Sequence, residues 1–374
     1  MELGEIKSKE DLFNYLEVAI QLEHATIPPY MTALYSIIPE CNQEAYNLIR
    51  VVLVEEMLHL TLSANILNAI GGKVNLTKKG FCPEYPTYLP SGETDFKVGL
   101  EKFSIDAVET FLDIERPSEP HKEEGELPGL IKNILNRHSK CVLPIYKDKD
   151  GEEKHFYSIG DFYSAIADGL EKVAEKIGEE ELFNGDPTYQ VTPEYYYSGG
   201  GDIIPIHNLE DAKNAIRLIS EQGEGHNGTI YEREGELSHY YRFEQLKLGR
   251  YYHPGDKPGH PSGEKLDIDW NAVYPILSNA KSEDYPNNTS VYDANTDFNF
   301  TYKNFLKKLN TAFSGEPSYL LKAVGEMFEI KFKAYQLMRN PIPKNTHLNA
   351  APTFELYTDE VLNFNLTTAE ENGK

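Results

Sequence analysis

The apolar positions of this 374-residue chain fall mostly at helical spacing. In residues 9–36, Leu12, Leu16, Ala19 and Glu23 share one stripe, at intervals of 4, 3 and 4, which predicts an amphipathic helix. Pro28-Pro29 should break or kink it, because proline lacks the N–H that continues the ladder. Residues 43–70 predict a second helix, with Gly71-Gly72 ending it as a C-terminal cap. Shorter helical patterns follow near 104–113, ending before Arg116-Pro117, and at 128–138. Residues 159–177 carry Phe162, Ile166 and Leu170 on one side and predict a third long helix. Residues 208–222 and 234–248 are again helical, with EGEGHNG interrupting between them, and two more helices are expected near 300–313 and 317–338.

Period-two patterning is rare. CVLPIYKDKDGEEKHFYSI predicts one hairpin, two β-favouring runs around Asp-Gly. Residues 80–100, residues 117–129 and TPEYYYSGGGDIIPIHN are expected to be loops. The fold class that follows is mainly α: a helical bundle with long loops and a small β-hairpin in residues 1–250. Residues 251–374 are then a C-terminal loop/helix extension packing on it.

Against this apolar background, a few charged residues stand in phase with the apolar faces. In VEEMLHLTLSANILNAIGG, Val52, Glu56, His59, Ser63, Ile66 and Ile70 lie on one face at intervals of 4, 3, 4, 3 and 4. Glu56 and His59 are therefore one turn apart. Glu55 falls on the neighbouring stripe with Val51, Leu58 and Leu62. A Glu-x-x-His pair can grip one metal ion, and helix-bundle di-iron and di-manganese proteins use two such pairs plus two single glutamates. Glu236–His239, followed by Phe243 and Leu246 in phase, is the credible second pair. Glu152–His155 lies in the polar hairpin and is read as surface charge. Glu23 is the first single glutamate; His24 and Glu17, on another stripe, rank only as neighbours of a site. Helical spacing leaves the last glutamate open between Glu221 and Glu224. A buried polar network without metal would be expensive.

Charge and cysteine content narrow the function classes. There are 60 acidic against 36 basic residues, a net charge of −24, and no Lys/Arg cluster suited to a nucleic-acid partner. No apolar run is long enough for a membrane span, and MELGEIKSKEDLF has no signal-peptide core. Cys41, Cys82 and Cys141 are too few and scattered for a disulfide framework or thiolate metal site. A soluble cytoplasmic protein is expected.

These segments carry a resemblance. LEHATIPPYMTALYSI, VEEMLHLTLSANILNAIGG, YPTYLPSG, FSIDAVETFLDIERP, SIGDFYSAIADGL, ISEQGEG and ELSHYYRFEQLKLGRYY resemble the ferritin-like family that includes the ferritin-like part of VioB/RebD-type iminophenylpyruvate dimer synthases. So do VYPILSN, AVGEMFEIKFKAYQLM and AAPTFEL further on. The resemblance implies metal ligands at Glu23, Glu56, His59, Glu224, Glu236 and His239, with Glu221 and Glu55 as lesser candidates. It makes the 159–177 helix an extra element that donates no ligand. The pigment enzymes carry a large region ahead of this part, so a stand-alone member is expected. Two divalent ions, iron preferred over manganese, would suit so oxygen-rich a set.

The expected function is a non-haem dinuclear-metal oxidoreductase acting on a small, aromatic amino-acid-derived metabolite, with O₂ as a candidate co-substrate. The alternatives are a VioB-like imino-acid coupling enzyme and a non-catalytic metal-binding protein. Tyr30, Tyr163, Tyr240 and Tyr241 either line a pocket or pack in the core, and a homodimer is the expected assembly.

Overall fold

The computed structural model describes residues 5–90, 95–118, 146–147, 153–154, 156, 158–197, 199–226, 229–343 and 345–356. The expected helix at 128–138, most of the 117–129 loop and the Glu152–His155 pair lie outside these residues.

Helix α1 (Lys9–Ser36) starts where Ser8 accepts a hydrogen bond from the Asp11 backbone, and Glu10 and Asp11 complement the helix dipole in its first turn. Pro28-Pro29 do not break it; it continues to Ser36. A proline at position 29 leaves the Ala25 carbonyl without its helical donor. The Tyr85 hydroxyl donates to that carbonyl at 2.8 Å, so the lost bond is replaced from outside. Helix α2 (Gln43–Ala69) ends at Gly71, which takes φ +81° and returns its N–H to the Asn68 carbonyl.

Helix α3 (Ile105–Ile114) has Ser104 as its N-cap and Glu115 just past its end. Two-residue strands β1 (Tyr146–Lys147) and β2 (Glu153–Lys154) form the antiparallel hairpin. Helix α4 (Ile159–Ile177) follows Ser158, whose side chain accepts from Asp161 N. Helix α5 (Leu209–Glu224) ends at Gly225. Helix α6 spans only His239–Leu248, shorter than the expected 234–248. Residues 231–237 are instead closed by a Tyr231–Leu237 bridge.

Helices α1, α2, α4 and α5 pack on one another, and α3 and α6 pair beside α2. The 159–177 helix packs on α1 and α5. Helices α7 (Ser290–Ala312) and α8 (Tyr319–Met338) pair with each other and lean on α1. A small antiparallel pair, β3 (Pro341–Ile342) and β4 (Asn345–Asn349), follows them. The main hydrophobic cluster includes residues from Ile6 to Phe354, on both sides of residue 250, and Ile230, Tyr241 and Tyr252 form a smaller one. Among the described residues no helix is long and apolar enough to cross a membrane.

Candidate metal centre

The bundle buries an unusual set of charged groups. Glu23, Glu55, Glu56, His59, Glu115 and His239 are each at most 4% exposed. They come from four places: Glu23 from α1, the others from α2, the residue after α3, and the first residue of α6. Glu56, His59 and His239 each offer a donor atom, and these atoms lie within 4.8 Å of one another.

The two imidazoles are held in the same way. His59 Nε2 meets Gln222 Oε1 at 2.8 Å, and Gln222 is itself fixed by donating to the Gly200 carbonyl. His239 Nε2 meets Glu55 Oε2 at 2.9 Å. Both partners are oxygens, so each Nε2 carries a proton, and Nδ1 is the ring atom turned toward the carboxylates. The rings lie nearly parallel, 5.3 Å apart. His59 Nδ1 is 3.5 Å from Glu23 and 3.6 Å from Glu56. His239 Nδ1 is 3.0 Å from Glu56 and 3.3 Å from Glu115. Glu56 Oε1 is therefore shared between the two halves.

Glu23, Glu56 and Glu115 are each oriented by a hydroxyl. Thr26 donates to Glu56 Oε2 at 2.7 Å, Tyr30 to Glu115 at 2.5 Å, and Tyr163, which also bonds Ser63, to Glu23.

The proton affinities follow from crowding like charges away from water. Burial pushes the Glu23 carboxyl up to about 7 against the pull of His59. Burial and Glu56 raise Glu115 as well. Burial would raise Glu56 too, but the His239 and His59 rings hold it well below the usual carboxylate range. Burial disfavours the His59 imidazolium, yet Glu23 and Glu56 raise it to about 10. His239 is raised well above its ordinary value by Glu115, Glu55 and Glu56 against the same burial penalty. Protons on the Nδ1 atoms thus stand where cations are called for. A divalent ion would replace them, as metal binding to imidazole does generally.

The other expected ligands are placed differently. Glu236 precedes α6 rather than lying on it; its side chain is 67% exposed and pairs with Arg242 at 3.2 Å. The helical phase that joined Glu236 to His239 does not exist, because the chain turns between them. Glu224 accepts from Ser118 N, Ser118 Oγ and Gly160 N. It lines the small cavity that also touches Glu23, Glu56, His59 and Glu115. Glu221 turns away to His226 and Arg233. Glu55 reaches His239 from the Nε2 side, beside Arg242, so it orients the ring. Glu17 pairs with Lys78, and His24 with Tyr302, both away from the cluster. Tyr30 and Tyr163 are buried against the carboxylates, whereas Tyr240 and Tyr241 pack on each other.

Glu115 is the residue that sequence reasoning missed. Its signal was available: Val108, Leu112 and Glu115 are spaced by 4 and 3, in phase with the buried face of α3.

Comparisons with known proteins agree with this architecture. The ferritin-like family model matches residues 16–248. A dichlorochromopyrrolate synthase from Lentzea aerocolonigenes is 25% identical over 323 residues, 81% of this chain; the match spans 29% of that relative's length. The crystal structure of a ferritin like protein from Caulobacter vibrioides superimposes with a TM-score of 0.57 at 22% identity, covering 92% of this chain and 97% of that one. The last comparison bears on fold alone.

Proposed function

This chain belongs to the ferritin-like family, and from that premise we propose that it is a non-haem dinuclear-metal oxidoreductase acting on a small aromatic amino-acid-derived acid or imine. One observation carries the reading. Two buried imidazoles have their Nε2 atoms tied off by Gln222 and Glu55, and their Nδ1 atoms turn toward carboxylates, His59 toward Glu23 and Glu56 and His239 toward Glu56 and Glu115.

In this proposal Glu23, Glu56 and His59 would hold one ion and Glu56, Glu115 and His239 the other. Three carboxylates and two imidazoles are a donor set suited to iron or manganese. When bound, the metals would supply O₂ activation or Lewis-acid polarisation of a carbonyl or imine.

The rest of the work falls to the protein. Thr26, Tyr30 and Tyr163 fix the three carboxylates. Gln222 and Glu55 hold a proton on each Nε2, which leaves Nδ1 as the atom that would give up its proton to a metal. The enclosed space beside the site is only about 10 Å³, so bulk water is kept out and a substrate enters only as the wall moves. Glu224, held by Ser118 and by Gly160 at the start of α4, forms part of that wall.

A second reading, a coupling synthase, draws support from the dichlorochromopyrrolate synthase match over most of this chain. O₂ uptake by the Fe(II)-loaded protein, with and without aromatic 2-oxo or imino acids, separates the two. Substrate-dependent uptake supports the oxidoreductase; product formation without O₂ supports coupling. Absence of both, in protein shown to hold metal, overturns both.

A further inference from the structure

On the far side of α1 and α2 from the metal centre lies a cavity of about 380 Å³. Small-molecule sites range from about 300 to 1,000 Å³. Its walls are α1, α2, α7, α8 and the loop around Tyr196–Gly199, and none of the buried glutamates or histidines of the metal centre lines it.

Its polarity is graded from end to end. Along α2 the wall runs from Arg50 through Leu53 and Met57 to Leu60; along α8 it runs from Lys331 back to Leu320. At a rise of 1.5 Å per residue, each wall is about 15 Å long. Lys331 Nζ stands 5.2 Å from the centre of the Tyr46 ring, one turn before Arg50, so both cations occupy the same end. The opposite end is aliphatic, where Leu309 and Leu320 flank the α7–α8 turn.

Lys331 lies over the Tyr46 and Tyr335 rings, but neither cation is matched by a carboxylate. Lys308 and Lys333, on the same helix pair, are matched to Glu326 and Asp297. Among the described residues, Arg50 and Lys331 have no carboxylate partner, in a chain of net charge −24. Lys331 also borders a second, more open hollow of about 260 Å³, so its ammonium stands where the apolar cavity meets solvent. Exposed Tyr197 and Phe328, at 64% and 66%, rim the entrance.

The geometry points to a binding site for a medium-chain fatty acid, with its carboxylate at Arg50 and Lys331 and its alkyl chain running toward Leu309 and Leu320. A trough about 15 Å long, lined by leucine, isoleucine, valine and methionine side chains together with several tyrosines and phenylalanines, accommodates an extended chain. The site is independent of the metal centre and of the activity assigned to it.

Calorimetry on the full-length protein tests this with three probes below their aggregation limits: laurate, dodecyltrimethylammonium and phenylpyruvate. Laurate should bind saturably at one per chain, and the cationic amphiphile with the same tail at least about tenfold more weakly. The double variant Arg50→Ala/Lys331→Ala should weaken laurate binding about tenfold, the combined effect of two charge-assisted contacts. Val324→Trp, at a half-buried lining position, should block it; metal content and the far-ultraviolet spectrum should not change in either variant. Equal binding of the two oppositely charged amphiphiles, tighter binding of phenylpyruvate than of laurate, or laurate binding indifferent to both variants would overturn the proposal.

Discussion

Replacing Glu115 with glutamine separates the centre seen in the fold from the one the helical spacing implied. Glu115 Oε2 lies 3.3 Å from His239 Nδ1. At an effective dielectric near 20 that carboxylate contributes about 5 kcal/mol of gross attraction to a positive charge on its neighbour. Burial takes back much of it, since the same desolvation raises the Glu115 carboxyl above its ordinary range. The net loss of affinity for the ion beside His239 should be about 10–100-fold. Glutamine keeps the volume and still accepts from Tyr30, so the fold should persist. Glu236→Gln is the paired control: it removes an exposed partner of Arg242 and should cost below about 1 kcal/mol of stability. Both proteins are loaded anaerobically with Mn(II) or Fe(II), desalted and assayed for metal. The native protein and Glu236→Gln should retain two ions per chain, and Glu115→Gln about one. Loss of metal from Glu236→Gln with two ions retained by Glu115→Gln would refute the assignment.

Other consequences are as specific. Gln222→Leu should weaken metal binding about 10–100-fold by freeing His59 Nε2, read in the same titration with an unchanged far-ultraviolet spectrum. Saturating metal at about 100 times its dissociation constant should stabilise the fold by roughly 2.7 kcal/mol; calorimetry that finds no rise in melting temperature counts against a folded-state site. Burial lowers the His24 imidazole to about 3, so the unfolded chain takes up a proton below its ordinary value of 6.5 while the folded chain does not. Stability is therefore fully present above pH 6.5 and should fall by about 2 kcal/mol by pH 5; His24→Phe should lose that part of the slope in denaturant melts. Gly185→Ala would set a Cβ 1.9 Å from the Asn68 carbonyl oxygen and should cost about 1–3 kcal/mol or more; a denaturation midpoint equal to the native one would contradict the packing.

The helices were legible because their apolar stripes are long and regular. Lys9–Ser36, Gln43–Ala69 and Ile159–Ile177 all fall close to their expected ends. The survival of α1 through Pro28-Pro29 was not legible, because it depends on a hydroxyl from Tyr85, far along the chain. Glu23, Glu56 and His59 were legible as inward-facing through phase with apolar neighbours on true helices, and they are buried together. Phase failed for Glu236, because it assumes a continuous helix and the Tyr231–Leu237 bridge turns the chain before His239. Glu115 was passed over because a lone glutamate at a helix end resembles ordinary surface charge until its partners His239 and Tyr30 are known. Glu55 shows the limit of stripe counting: one position from Glu56, it is equally buried and reaches the opposite side of His239.

The most direct measurement is anomalous diffraction from crystals of the native protein grown with Fe(II) or Mn(II). Two anomalous peaks are expected within the cluster, one near Glu23 and His59, one near Glu115 and His239, with Glu56 between them. Metal bound elsewhere, or a cluster that stays empty at saturating metal while His59 and His239 keep their contacts to Glu56, would contradict it.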